Sequence, residues 1–128
     1  MIFGIGTDIV AVARIEAAIE RHGDAFAHKI LSAQELLEYA THVQPARFLS
    51  KRFAAKEAFA KATGQGLRHP VTLHHISVAH DSLGKPAFQC DATLSAHLQQ
   101  LGVTRHHLSI SDERETVVAF VVLEGHSV

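Results

Sequence analysis

The chain has 128 residues, 47% of them hydrophobic and 20% charged, with 12 Lys plus Arg against 13 Asp plus Glu. That length suits one domain with a real core, and a net charge near zero supplies no broad basic field for nucleic acid. No apolar run reaches the roughly 20 residues of a membrane span, no targeting leader is visible, and Cys90 has no second cysteine to pair with; the expectation is a cytoplasmic protein in a reducing compartment, with Cys90 a small core residue.

Residues 1–10, Met-Ile-Phe-Gly-Ile-Gly-Thr-Asp-Ile-Val, read as a strand. Alternation puts Phe3, Ile5, Thr7 and Ile9 on one face and Ile2, Gly4, Gly6 and Asp8 on the other. Glycine weakens a strand, so two at alternate positions imply close approach of a ligand or of another backbone. Asp8 stands on that cleared face, where the alternative is a solvated carboxylate at a strand end. Arg14–His22 follows as a short amphipathic helix stopped by Gly23, with Ile15, Ala18, Ile19 and His22 as its apolar stripe and Arg14 and Arg21 sharing another face. Asp24 is placed to cap the next turn, in which Phe26 and Ile30 are apolar anchors. Ser32-Ala-Gln-Glu35 is a capping-box pattern that opens a helix through about Ala40. Pro45 suits the first turn of a long helix, and Gly64 or Gly66 suits its end.

Beyond that helix the chain turns to β structure. Ile76–His80 and Pro86–Cys90 flank a hairpin-like turn, Asp81–Lys85. Asp91 or Thr93 caps a helix through Leu101, stopped by Gly102, and two strands at about 107–112 and 116–123 close the chain. The last strand is apolar on both faces over Val117–Leu123, so both faces should be covered, one by the domain's own helix and the other by something more, for which a neighbouring subunit is a candidate. Eleven histidines are scattered through these elements. The adjacent pairs His74-His75 and His106-His107 would point to opposite faces of a strand, and there is no His-Glu-x-x-His or Cys/His grid, so zinc is not expected.

Residues 52–66, Arg-Phe-Ala-Ala-Lys-Glu-Ala-Phe-Ala-Lys-Ala-Thr-Gly-Gln-Gly, carry the densest chemical pattern. Phe53, Glu57, Lys61 and Gly64 recur at helical spacing, so a carboxylate and an ammonium share one side. Periodicity leaves two readings: a surface ion pair worth a few tenths of a kcal/mol, or a site for a cation and a phosphate. In the second, Gly64 and Gly66 would let backbone N–H groups approach phosphate.

Gly-Ile-Gly-Thr-Asp-Ile-Val…Arg-Ile at 4–15 and the run at 52–66, in that order, resemble the holo-acyl-carrier-protein synthases, the small stand-alone type of 4′-phosphopantetheinyl transferase. Leu-Gly-Lys-Pro at 83–86, His-Leu-Ser-Ile-Ser-Asp-Glu at 107–113 and Val-Val-Ala-Phe-Val-Val-Leu-Glu at 117–124 extend the match along nearly the whole chain. The resemblance implies an α+β fold, one compact domain over residues 1–128 with a long central helix packed on a small, mainly antiparallel sheet, assembled as a trimer with active sites between subunits. It implies Mg²⁺-dependent transfer of phosphopantetheine from coenzyme A to a serine of apo-acyl carrier protein, supporting fatty-acid synthesis, with Mn²⁺ as an alternative metal. Asp8 and Glu57 match the family's metal ligands and Lys61 its phosphate-facing lysine. Arg52 and Gly84-Lys85-Pro86 match positions that hold the nucleotide. Arg14 matches a carrier contact, to which Arg21, Phe26 and Ile30 add the rest of a docking patch. Asp112 departs from the pattern, since many relatives have histidine there. Two rival functions share the residues: a Mg²⁺-dependent nucleotide pyrophosphohydrolase using the same carboxylates, and a non-catalytic oligomeric binding module.

Overall fold

The computed structural model describes residues 1–126, so the last two positions of the expected domain lie outside the described residues. The elements are β1 (Ile2–Ala11), α1 (Val12–His22), α2 (Asp24–Ile30), α3 (Ala33–Tyr39), α4 (Pro45–Thr63), β2 (Ile76–His80), β3 (Pro86–Cys90), α5 (Ala92–Leu101), β4 (Val103–Asp112) and β5 (Thr116–Gly125). Strands β1, β5 and β4 form one antiparallel sheet in that order, and β2 and β3 form a separate antiparallel ribbon. The architecture is therefore α+β, as the sequence implies.

Helix α4 is the spine. Pro45 occupies its first turn and Gly64, at φ +81°, closes it in the left-handed conformation. Most of its residues are buried, including Ala54, Ala55, Ala58, Phe59, Ala60 and Ala62. One lengthwise stripe keeps partial access to solvent: Phe53 and Glu57 are half-buried, and Lys61 and Gly64 are exposed.

The glycines of β1 are cleared for α4, not for a ligand. A Cβ on Gly4 would stand 2.0 Å from the Ala62 carbonyl oxygen, and one on Gly6 would stand 1.9 Å from that of Ala58. Two strand residues advance roughly 6.6 Å and four helix residues about 6 Å, so strand and helix stay in step while running in opposite directions. The other face of β1 is left open: Phe3, Ile5 and Ile9 are 37%, 58% and 65% exposed, and Phe120 on the neighbouring β5 is 44% exposed. An apolar sheet face of this kind has no cover within one chain.

A buried ionic network ties α4 to the rest. Lys56 is wholly buried, and its Nζ donates to Glu35 Oε1 (2.5 Å), Ile30 O (2.8 Å) and Leu73 O (2.9 Å). Glu35 closes the Ser32 capping box and also accepts from the Val78 backbone N–H at 2.9 Å. Its carboxylate thus satisfies α3, α4 and β2 together, which is how a buried charge pair escapes its desolvation cost. Burial nevertheless holds the Lys56 ammonium below its ordinary pKa, with Glu35 pulling the other way.

Several expectations change. Ile30 is 2% exposed and belongs to the core, so it is not part of a docking patch; three residues after the buried Ala27, it lies on the inward side of α2. Helix α1 starts at Val12, which with Ile15 supplies the buried positions, while His22 is exposed. Gly23, not Asp24, is the N-cap of α2. Strand β4 begins at Val103, directly after Gly102 ends α5, with a register shift between Val103 and Arg105. Cys90 is half-buried, and burial beside Asp91 pushes its thiol up to about 12, so it carries no thiolate at neutral pH.

Replacing Gly6 by Ala should cost about 3 kcal/mol, because the new methyl would meet helix backbone with no flexible end to yield. Urea unfolding checks this; a midpoint within error of wild type would mean the strand does not pack on α4 this closely.

Candidate active site

The packing of β1 on α4 delivers Asp8. It stands two residues beyond Gly6 on the same cleared face, on the side of Ala58 toward the helix N-terminus, where Glu57 projects. The two carboxylates are near enough that Asp8's charge helps raise the Glu57 pKa; loss of water is the larger cause, and Lys61 opposes both. Long helical side chains lean back toward the helix N-terminus. Lys61 does so, and its Nζ donates to Asp8 Oδ1 at 3.1 Å and to Thr7 O at 3.0 Å. Residues 53 positions apart in sequence thus meet as one cluster, the three that the sequence singled out as catalytic.

This donor set fits a hard divalent cation. It consists of carboxylate oxygens only, it carries mutual repulsion that a cation would relieve, and it already draws in an ammonium. Among the described residues no third acidic, imidazole or thiol group joins it, which leaves further positions for phosphate oxygens and water.

Along the same helix, Arg52 is 3% exposed. Its Nη2 donates to Glu38 Oε2 at 3.2 Å, its Nε lies 3.4 Å from Glu35 Oε2 without a hydrogen bond, and its guanidinium carbon sits 4.3 Å from the Phe48 ring centre. It floors a cavity of about 300 Å³ whose walls include Arg47, Lys51 and His80. Its Nη1 makes no hydrogen bond among the described residues, so it remains free for an anion entering from that cavity.

Gly64 and Gly66 do not offer their own N–H groups. They donate to Lys61 O (3.0 Å) and Ala60 O (3.2 Å), so the two glycines close the helix and leave phosphate to other donors. The Gly84-Lys85-Pro86 turn is likewise self-contained. Gly84, at φ +86°, donates to Asp81 O, and Lys85 N–H donates to Asp81 Oδ1. Pro86 pairs across the ribbon with His80, which places this turn and the exposed Lys85 beside the cavity rim.

Arg14 and Arg21 are exposed on α1. Phe26 is half-buried and lines a depression of about 150 Å³ with His22, Ala25 and Lys29. Asp112 is held at the end of β4 by Arg47 (2.8 Å) and Lys51 (3.6 Å). Arg47 also donates to the carbonyls of Glu113 and Arg114, so one guanidinium fastens the β4–β5 turn to α4.

Sequence reasoning missed Arg47, Lys51, His42 and His80 as cavity residues. Arg47 and Lys51 lie on α4, His42 in the segment before it and His80 at the end of β2, and periodicity says nothing about which segments meet over a helix. It also read Glu35 only as a cap. Lys56 was the available signal: a lysine one residue after the core-filling Ala54-Ala55 pair and two before Ala58 needs a buried partner.

A model of the 4′-phosphopantetheinyl transferase superfamily matches residues 4–121. The chain belongs to that family. It is 59% identical over 125 residues to a holo-[acyl-carrier-protein] synthase of Laribacter hongkongensis, covering 98% of this chain and 100% of that one. A crystal structure of the holo-[acyl-carrier-protein] synthase from Neisseria meningitidis superposes with a TM-score of 0.95 at 52% identity, covering 97% of this chain and 99% of that one. The corresponding Bacillus anthracis enzyme, in complex with CoA (3′,5′-ADP), superposes at 0.81 with 35% identity, covering 98% and 99%.

Substituting Asp8 by Asn should lower the Glu57 pKa without restoring its ordinary value, because loss of water is the larger cause; Lys61→Met should raise it. Carboxyl-carbon NMR titration of Glu57 reads both shifts. No movement in either variant would mean the three groups do not share a site.

Proposed function

We propose that this chain, as a single domain, transfers 4′-phosphopantetheine from coenzyme A to a serine of apo-acyl carrier protein, releasing adenosine 3′,5′-bisphosphate. The observation that carries this reading is the meeting of Asp8, Glu57 and Lys61 at one accessible stripe of α4, in a chain whose relatives are holo-[acyl-carrier-protein] synthases.

The serine oxygen attacks the β-phosphorus of the coenzyme A diphosphate. A new P–O bond forms, the bond to the bridging oxygen breaks, and the nucleotide leaves with that oxygen. Asp8 and Glu57 would hold Mg²⁺, or Mn²⁺, which supplies charge neutralisation at the diphosphate oxygens. Lys61, on an exposed and flexible stem, turns from Asp8 to the diphosphate as a point charge. An oxygen of Glu57 not taken by the metal is placed to accept the serine proton directly or through one water.

Arg52 presents its free Nη1 to the nucleotide, and the Gly84-Lys85-Pro86 turn stands at the rim of the same cavity. Arg14 and Arg21 offer an exposed basic face to an acidic carrier, with Phe26 as its apolar part; such charges chiefly set association rate and salt dependence. The apolar face of Phe3, Ile5, Ile9 and Phe120 supports assembly of copies of the chain as a homotrimer with active sites between subunits. The setting is cytoplasmic, where carrier proteins of fatty-acid synthesis are made; among the described residues no helix is long and apolar enough to cross a membrane.

Intact mass of an apo carrier incubated with this protein, coenzyme A and Mg²⁺ should increase by one phosphopantetheine. Glu57→Gln should lower the rate by at least about 100-fold, the lower end of what a general acid–base group contributes, with the fold unchanged by circular dichroism. An unmodified carrier, with a known transferase working alongside, would reject the assignment.

A further inference from the structure

Two lysines of α4 are held in different ways. Lys56 is locked: it is wholly buried and commits its three N–H donors to fixed acceptors, Ile30 O, Glu35 Oε1 and Leu73 O. Lys61 is releasable. Its side chain is 53% exposed, and it donates to Thr7 O at 3.0 Å and to Asp8 Oδ1 at 3.1 Å, both on β1.

The second contact bears on the carboxylate pair. Glu57 makes no side-chain hydrogen bond or ion pair among the described residues, whereas Asp8, whose side chain is 17% exposed, is already matched to the Lys61 ammonium. A hard divalent cation uses the same carboxylate oxygens. It meets Glu57 directly, but it gains Asp8 only by exchanging places with Lys61 or by accepting that charge a few ångströms away. Like charges at such range repel even when partly screened. A half-exposed ammonium moves at modest cost, because ion pairs of this exposure contribute little. The exchange is therefore accessible, and it has a fixed sign: Lys61 lowers the affinity of the carboxylate pair for a cation that arrives alone.

We infer that Lys61 is an exchangeable place-holder on Asp8: it gives the aspartate a cation of the protein's own, and yields it to the divalent cation when the coenzyme A diphosphate offers the lysine another acceptor. The inference rests on the transferase reading above, which brings the diphosphate to Asp8, Glu57 and Lys61. Two negatively charged phosphoryl groups attract the ammonium more strongly than one carboxylate oxygen does. The same side chain therefore acts in opposite senses on two ligands. It weakens binding of the cation alone and strengthens binding of the diphosphate. Removing a residue that only shaped the site would weaken both; removing one that only faced phosphate would leave the lone cation unaffected.

The test measures the two ligands separately on the full chain at pH 8, above the carboxylate range. Mn²⁺ is titrated without nucleotide and followed by electron paramagnetic resonance; coenzyme A is titrated at saturating Mg²⁺ and followed by calorimetry. Lys61→Met should bind Mn²⁺ several-fold more tightly than wild type and coenzyme A several-fold more weakly, and Lys61→Gln should move both in the same directions. Lys51→Met removes the same charge ten residues earlier on α4, about 15 Å away along the helix axis, and should leave Mn²⁺ affinity unchanged. Beside Asp8→Asn the gain from Lys61→Met should shrink, because the exchange passes through Asp8. Mn²⁺ affinity unchanged or weakened in both Lys61 variants, an equal gain in Lys51→Met, or an undiminished gain beside Asp8→Asn overturns the place-holder role and leaves the transferase reading standing. Unchanged coenzyme A affinity in the Lys61 variants overturns the transfer of the lysine to the diphosphate. Failure of wild type to bind Mn²⁺ overturns both this role and the metal assignment beneath it.

Discussion

The structure depends on the contact between the backbone of β1 and the backbone of α4. At Gly4 and Gly6 the strand lies so close to the helix that even a methyl group would strike a carbonyl oxygen. That approach sets where Asp8 falls along α4, and with it the relation of Asp8 to Glu57 and Lys61. The first strand is thus both core and site: its inward glycines fix the distance and its inward aspartate uses it. Ala58 and Ala62 make the matching surface on the helix, which explains why small residues stand at these positions of the spine.

A second constraint acts from the far side of α4. Glu35 and Lys56 are buried as an ion pair, with backbone groups of Ser32, Ile30, Leu73 and Val78 satisfying what the pair leaves over. This fixes α4 against α3 and the β2–β3 ribbon. Arg52, one turn before Lys56, inherits the same Glu35 and so reaches the floor of the cavity between α3, α4 and β2 already oriented. Arg47 performs the corresponding task at the other end, holding the β4–β5 turn through Asp112. Asp112 is therefore accounted for as an anchor of two cations, and its side chain is already occupied.

Much of this was legible in the sequence. The elements follow from alternation, capping and glycine stops, and β2, β3 and the stop at Gly102 fall where those signals put them. Asp8, Glu57 and Lys61 could be named because the motifs at 4–15 and 52–66 together resemble those of a known family; helical periodicity alone left a surface ion pair equally open. Ile30 was misread because its helix is only two turns long and periodicity over seven residues cannot tell the inward side from the outward. Gly64 and Gly66 were read as phosphate-facing, yet a positive φ serves helix closure equally well, and only the hydrogen bonds separate the two uses. The cavity was invisible because its walls come from α3, α4 and β2, joined by contacts that no local pattern encodes.

The central claim is that two carboxylates, brought together by the strand–helix contact, hold one divalent cation. Electron paramagnetic resonance of Mn²⁺ titrated into the purified protein measures this without any substrate. The account predicts one bound Mn²⁺ per chain in wild type, and affinity at least tenfold weaker in Asp8→Asn and in Glu57→Gln alike. Binding that survives in either variant at wild-type strength would contradict it.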